Sequence, residues 1–127
     1  MAANTFNVVE LPNEGNEFYI SFPAEELTDA FEIIAGVAGK SHYITRIQAR
    51  TDAAMDINIG SGVAANAVTT THIGPVPLAA GFGFFGWKAP TGKGMKLTSG
   101  LALGIDSTAD GTLWIEVWGK TCRDSLK

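Results

Sequence analysis

Between Leu97 and Gly119 the apolar positions fall on every second residue. Leu101, Leu103 and Ile105 alternate with Ala102, Gly104 and Asp106, the period-2 pattern of a half-buried strand. Ser107 to Gly111 reads as a turn, with Asp110-Gly111 supplying the backbone freedom of a hairpin connection. Leu113, Ile115 and Val117 then alternate with Trp114, Glu116 and Trp118. A closing strand with one aliphatic face and one Trp-Glu-Trp face has two surfaces to cover, and a sandwich core takes only one.

Upstream, Thr5 to Leu11 reads as extended and apolar on both sides, with Phe6 and Val8 on one face and Val9 and Leu11 on the other. Pro12 to Asn16 is a turn, after which Phe18, Ile20 and Phe22 alternate with Glu17, Tyr19 and Ser21. Pro23 to Asp29 has room for one helical turn. Phe31 to Ala35 is a short strand and Gly36 to His42 a glycine-rich loop. Tyr43, Thr45, Ile47 and Ala49 are expected to face one way, with Arg46, Gln48 and Arg50 the other. Met55, Ile57 and Ile59 form another strand face, Gly60 to Ala67 a loop, and Val68 to Ile73 an extended piece. Gly74-Pro75-Val76-Pro77 is expected outside the sheets, because each proline removes a ladder donor. Phe82 to Trp87 is the strongest core-strand candidate. Eight to ten short strands with frequent turns predict an all-β chain, a two-layer β-sandwich or jelly roll. The expected organisation is a single domain, a sandwich over 17–127 preceded by an extended arm over 1–16. Its core should hold Leu101, Leu103, Ile105, Leu113, Ile115, Val117, Ile57 and Ile59.

Composition agrees with this picture. The 127 residues are 46% hydrophobic and 17% charged, with fifteen glycines, enough chain to bury a core without covalent staples. Cys122 is the single cysteine, so no disulfide framework is expected. Met1 to Asn7 lacks the basic start and apolar run of a secretory leader, and Val76 to Trp87 is broken by Pro77 and glycines, so no membrane partner is expected. A net charge of −4 argues against a general nucleic-acid binder. Its distribution is uneven: residues 1–39 carry −7 and residues 40–127 carry +3. That acidic first third is either a solvated edge or an arm that docks on a basic neighbour.

Motifs for chemistry fail on context. Gly39-Lys40-Ser41 ends like a phosphate-binding loop, but Ile34 stands where the first glycine belongs and a strand pattern follows. Gly81 to Gly86 spells G-x-G-x-x-G with phenylalanines at the variable positions and no helix after it, which fits a bulge or a close backbone approach. His42 and His72 have no partners at metal-ligand spacing. Ser41 beside His42 is adjacency rather than triad geometry. No catalytic residue, cofactor or metal is assigned, and no enzyme is expected.

Taken together, several stretches resemble the small β-sandwich virion proteins of tailed bacteriophages, most closely their capsid decoration (cement) proteins. They are Phe22-Pro23-Ala24, Gly39-Lys40-Ser41 with Tyr43-Ile44, and Ile73 to Leu78. Leu97 to Leu103, the Asp110-Gly111 turn and Val117-Trp118-Gly119 complete the set. The resemblance implies a non-enzymatic virion protein, often trimeric, made in the host cytoplasm, that binds the assembled major capsid protein and reinforces the shell. The alternative is a tail- or head-fibre module that recognises a host surface or glycan. Within the first reading, Trp114, Glu116 and Trp118 form the self-association face, the alternative being that the Phe6-Val8 arm or a loop covers the tryptophans in the same chain. Arg46 or Arg50 partners Glu116, in the same chain or across the contact. Phe6, Val8, Val9, Glu10 and Leu11 contact the capsid or a neighbour. If covered, the two indoles bury about 150–250 Å² each.

Overall fold

The computed structural model describes residues 8–27, 30–64, 67–79 and 83–124. Strands are numbered in chain order: β1 (Val8–Glu10), β2 (Asn16–Leu27), β3 (Ala30–Ile34), β4 (Lys40–Thr51), β5 (Met55–Ala64), β6 (Ala67–Leu78), β7 (Gly83–Lys88), β8 (Lys93–Lys96), β9 (Leu103–Ser107) and β10 (Gly111–Arg123). They form two antiparallel sheets. One runs β1-β8-β4-β10-β2, with β7 also paired to β4, and the other runs β3-β9-β5-β6. This is the all-β sandwich that the alternation predicts, and no described residue is helical.

Strand pleat fixes the core. Leu113, Ile115 and Val117 of β10 meet Ile47 of β4, Ile57 and Ile59 of β5, and Leu103 and Ile105 of β9 between the sheets, each at most 1% exposed. Leu101 departs from expectation. It stands before β9, half-buried in the turn where its amide bonds to Thr98 O (3.1 Å) and Gly100 takes φ 78°.

Other departures have local causes. β2 runs on to Leu27 into the stretch expected as a helical turn, because β10 offers it a long antiparallel partner. The Gly60 to Ala67 loop is instead a β5–β6 hairpin. β6 contains Pro75 and Pro77, which is tolerated because β6 is an edge strand and needs donors on one side only. β7 is less a core strand than expected: Phe85 and Trp87 pack on the core, but Phe84 is 61% exposed, and Phe82 lies outside the described residues. In β4 the register shifts so that Trp118 faces Arg46 while Gly119 faces Ile44. Thr45 is the extra residue, and this bulge turns Tyr43 to the side opposite Ile47.

β1 and β2 lie at opposite edges of one sheet, so Leu11 to Gly15 must cross its outer face. The span from Glu10 to Asn16 reaches about 20 Å when extended, and the four strand spacings need about 19 Å. The strap is held at each step. Leu11 N–H donates to Gly92 O (3.0 Å), Lys120 Nζ donates to Pro12 O (2.6 Å) and Asn13 O (3.2 Å), and Arg123 pairs with Glu14 (3.3 Å). At Gly15, with φ 135°, a Cβ would strike Cys122 Sγ at 2.6 Å. Cys122 is thereby buried, and burial raises its thiol pKa. Residues 8–16, within the stretch expected as an extended arm, form an edge strand and a strap on their own chain, while residues 1–7, Phe6 among them, lie outside the described residues.

Leu113→Ala is expected to cost about 2–5 kcal/mol, read as a lower urea midpoint at unchanged slope. Thr91→Ala, on an exposed turn, should stay within about 0.5 kcal/mol of wild type. Lys120→Ala should release the strap and speed modification of Cys122 by a disulfide reagent about tenfold. Removing the Lys120 charge by itself raises the thiol pKa and slows the reaction, so faster modification reports strap opening.

Candidate functional site

The outer face of the β10 sheet is built in cross-strand rows. Trp118 lies opposite Tyr19 of β2 and Arg46 of β4, Glu116 opposite Ser21 and Gln48, and Trp114 opposite Arg50. One strand further, Lys88, Gly86 and Phe84 of β7 continue the three rows. With the aliphatic row turned inward, pleat alternation leaves these residues nowhere but outside.

Each arginine stacks on a tryptophan. Arg46 Cζ lies 4.8 Å from the Trp118 ring centroid, and Arg50 Cζ lies 4.8 Å from that of Trp114. Exposed contacts of this kind contribute about 0.5–1 kcal/mol each. Tyr19 covers the other flank of Trp118, with ring centroids 4.9 Å apart and planes tilted by 36°. Its hydroxyl donates to Glu116 Oε2 at 2.6 Å. With the Gln48 amide turned to satisfy both its ends, its nitrogen donates to Glu116 Oε1 (3.3 Å) and its oxygen accepts from Arg46 Nη2 (2.5 Å).

Within the chain the arginines do not pair directly with Glu116, so of the two expected arrangements the same-chain one is not formed among the described residues. Directly opposite side chains sit closer than diagonal ones, and the register puts the arginines in the tryptophan rows and Gln48 in the glutamate row. The tryptophans are half-buried, covered by cations and Tyr19 of their own chain. Val8 sits on β1 at the far edge of the sheet.

At the Trp114 end the face opens into a groove of about 360 Å³, with Phe22, Arg50, Phe84 and Trp114 among its walls. The groove follows from a second bulge. Leu113 pairs with Glu25 and Ile115 with Phe22, so Pro23 and Ala24 together oppose Trp114. Proline has no amide hydrogen to keep the ladder regular there.

The remaining polar groups serve the fold. Gly39, at φ 78°, closes a turn in which Lys40 N–H donates to Val37 O (3.0 Å), and a strand follows, so no phosphate loop exists there. His42 Nε2 lies 2.8 Å from Ala35 O and Nδ1 lies 2.8 Å from Thr121 Oγ1. A carbonyl only accepts, so Nε2 carries the proton and Nδ1 accepts from the threonine. Ser41 bonds instead to Asp124 (2.5 Å), whose carboxyl is held below the usual range by the Ser41 and Ser99 hydroxyls. Gly83 N–H donates to Ala79 O (2.9 Å), where a Cβ would come within 2.4 Å of that oxygen, a close backbone approach at the start of β7.

Sequence reading missed the buried Ser61–His72 pair, at 2.6 Å, because its two members belong to different strands of one hairpin and their spacing carries no motif. Ser61 Oγ also accepts from Thr98 N–H (2.8 Å) and is fully buried. It pins a loop, and a substrate carbonyl has no approach to it. Among the described residues no group of three His, Cys, Asp or Glu side chains gathers as a metal site.

No family model matches the chain, and no curated protein matches it. Among solved structures it is similar to a chain of the cyanophage Pam1 capsid asymmetric unit. The identity is 19%, the overlap covers 88% of this chain and 91% of that one, and the TM-score is 0.48. So slight a likeness carries neither a family nor a function.

Both tyrosines are expected to titrate above 10.0, Tyr19 because its hydroxyl donates to the Glu116 carboxylate and Tyr43 because of burial. Glu116→Gln should return Tyr19 toward 10.0 and leave Tyr43 unmoved in an ultraviolet difference titration. A folded-state pKa above the unfolded one stabilises below pH 10, and that contribution fades as pH rises through the folded value. The stability gap between wild type and Glu116→Gln should therefore narrow above pH 10.

Proposed function

We propose that this chain is a non-enzymatic structural protein of a tailed-phage virion that binds the assembled capsid surface and reinforces it. The observation that carries this reading is the outer face of the β10 sheet. It is a rigid ladder of Trp114, Trp118, Tyr19, Arg46 and Arg50 on the middle of a sheet, outside any catalytic cleft. Aromatic and arginine side chains are the types enriched where protein surfaces meet. The resemblance of Phe22-Pro23-Ala24, Ile73 to Leu78 and Leu97 to Leu103 to capsid decoration proteins supplies the setting.

In this reading the protein acts as a homotrimer, with Trp114, Glu116, Trp118, Arg46 and Arg50 at the contact between copies. Val8, Val9, Glu10 and Leu11, with Phe6 ahead of them, form a second contact toward the capsid. β1 is an edge strand whose only partner among the described residues is β8. The glycan-binding alternative calls for open ring faces on which a sugar can stack, and here a guanidinium already occupies a face of Trp114 and of Trp118.

Wild type should be found on purified particles at a fixed ratio to the major capsid protein and sediment as a trimer. At about 2 kcal/mol for each interface tryptophan, Trp114→Ala with Trp118→Ala should weaken self-association about a thousandfold. A folded double variant that keeps wild-type sedimentation would remove the face from the contact, and absence of wild type from particles would remove the virion role.

A further inference from the structure

Within this face the Arg50 guanidinium differs from that of Arg46. Arg46 gives its donors to Gln48, whereas Arg50 stacks on Trp114 at the groove and has no hydrogen-bond acceptor among the described residues. Phe84, 61% exposed, lies directly across from it. The groove thus joins a planar cation, without an acceptor among the described residues, to an exposed apolar ring.

The complementary chemistry lies elsewhere on the same chain. Among the described acids of the first third, Glu14 pairs with Arg123, and Glu10 and Glu17 lie in register with Lys93 and Lys120. Glu26 pairs with Thr112 and lies on the receiving sheet itself. Glu32 is different. It is exposed on the edge strand β3, and its cross-strand neighbour Gly104 offers no side chain. Just beyond β3, Val37 is 42% exposed. The exposed large apolar side chains among the described residues are Tyr19, Phe84 and Val37. Phe84 lines the Arg50 groove, Tyr19 lies on its ladder, and Val37 follows Glu32 by five residues.

We propose that the groove beside Arg50 receives the β3 edge of a second copy, its Glu32 carboxylate on the Arg50 guanidinium and its Val37 against Phe84. This rests on the self-association proposed above and gives it a direction. Knob and groove are different surfaces of one chain, so the contact is heterologous. Such a contact closes into a ring such as a trimer, whereas a patch that pairs with itself yields only a two-fold dimer.

The test is a charge exchange read by analytical ultracentrifugation on the full chain, with circular dichroism as the folding control. Arg50→Glu alone and Glu32→Arg alone should each be monomeric at concentrations where wild type is assembled. Mixed one to one, they should assemble beyond the monomer with the two variants alternating, because one kind of junction keeps the native pair and the other carries the exchanged pair on which the double variant also relies. The double variant Arg50→Glu, Glu32→Arg should regain the wild-type assembly. Arg50→Gln and Glu32→Gln should each weaken association at least about tenfold, the range of a truncated interfacial charge pair. Loss in Arg50→Glu with unchanged assembly in Glu32→Arg, or no rescue in the double variant, would overturn the pairing. A monomeric wild type would overturn it too. Particle occupancy of wild type is scored separately, so a chain that binds capsids while Glu32→Arg assembles normally refutes this contact and leaves the virion role standing.

Discussion

The molecule depends on one strand being flanked along its length. β10 hydrogen-bonds to β2 on one side and β4 on the other, so its alternation is imposed on both neighbours. Once Leu113, Ile115 and Val117 are committed to the core, Trp114, Glu116 and Trp118 must stand outside. Within the chain, their nearest cover comes from the same rows of β2 and β4. Tyr19, Arg46, Gln48 and Arg50 are those residues, and the face is a consequence of the core.

A sheet face made this way differs from a bare apolar patch. The indoles are partly desolvated by guanidinium groups, which lose less hydration than an ammonium would and keep their outer donors turned to the surroundings. Glu116, between the tryptophans, would be costly if desolvated alone. The Tyr19 hydroxyl and Gln48 amide hold it within the chain. The ladder is thereby set before any partner arrives, which lowers the ordering cost of association.

The sequence carries the inward rows well, because period-2 alternation survives any register: Leu113, Ile115, Val117, Ile57 and Ile59 are read directly. It also places Trp114, Glu116 and Trp118 outside. What it cannot carry is register across strands. The Thr45 bulge reverses Tyr43 relative to Ile47, and the Pro23-Ala24 bulge opens the groove, yet neither residue pair differs from an ordinary strand in the alternation. For the same reason Tyr19 and Gln48 were invisible as partners of Glu116. The prolines of β6 misled because their meaning depends on whether a strand lies at an edge, a property of topology rather than of local pattern. Phe84 misled because an aromatic in a strand votes for burial whichever face it occupies.

The edges of the two sheets decide between a contact made by strand addition and one made by a face. β2 is a long edge, but it carries Pro23, Glu25 and Glu26 and a bulge, features that block regular pairing with another chain. β6 presents Pro75 and Pro77 on its edge. β3 has five residues with Glu32 at its centre and a register shift beside it. β1 has three residues and is too short to template much. With its long edges obstructed, the chain presents among the described residues one broad surface that combines aromatic area with charge, the outer face of β10. An edge as short and charged as β3 is then better suited to insert a carboxylate into a groove than to extend a sheet.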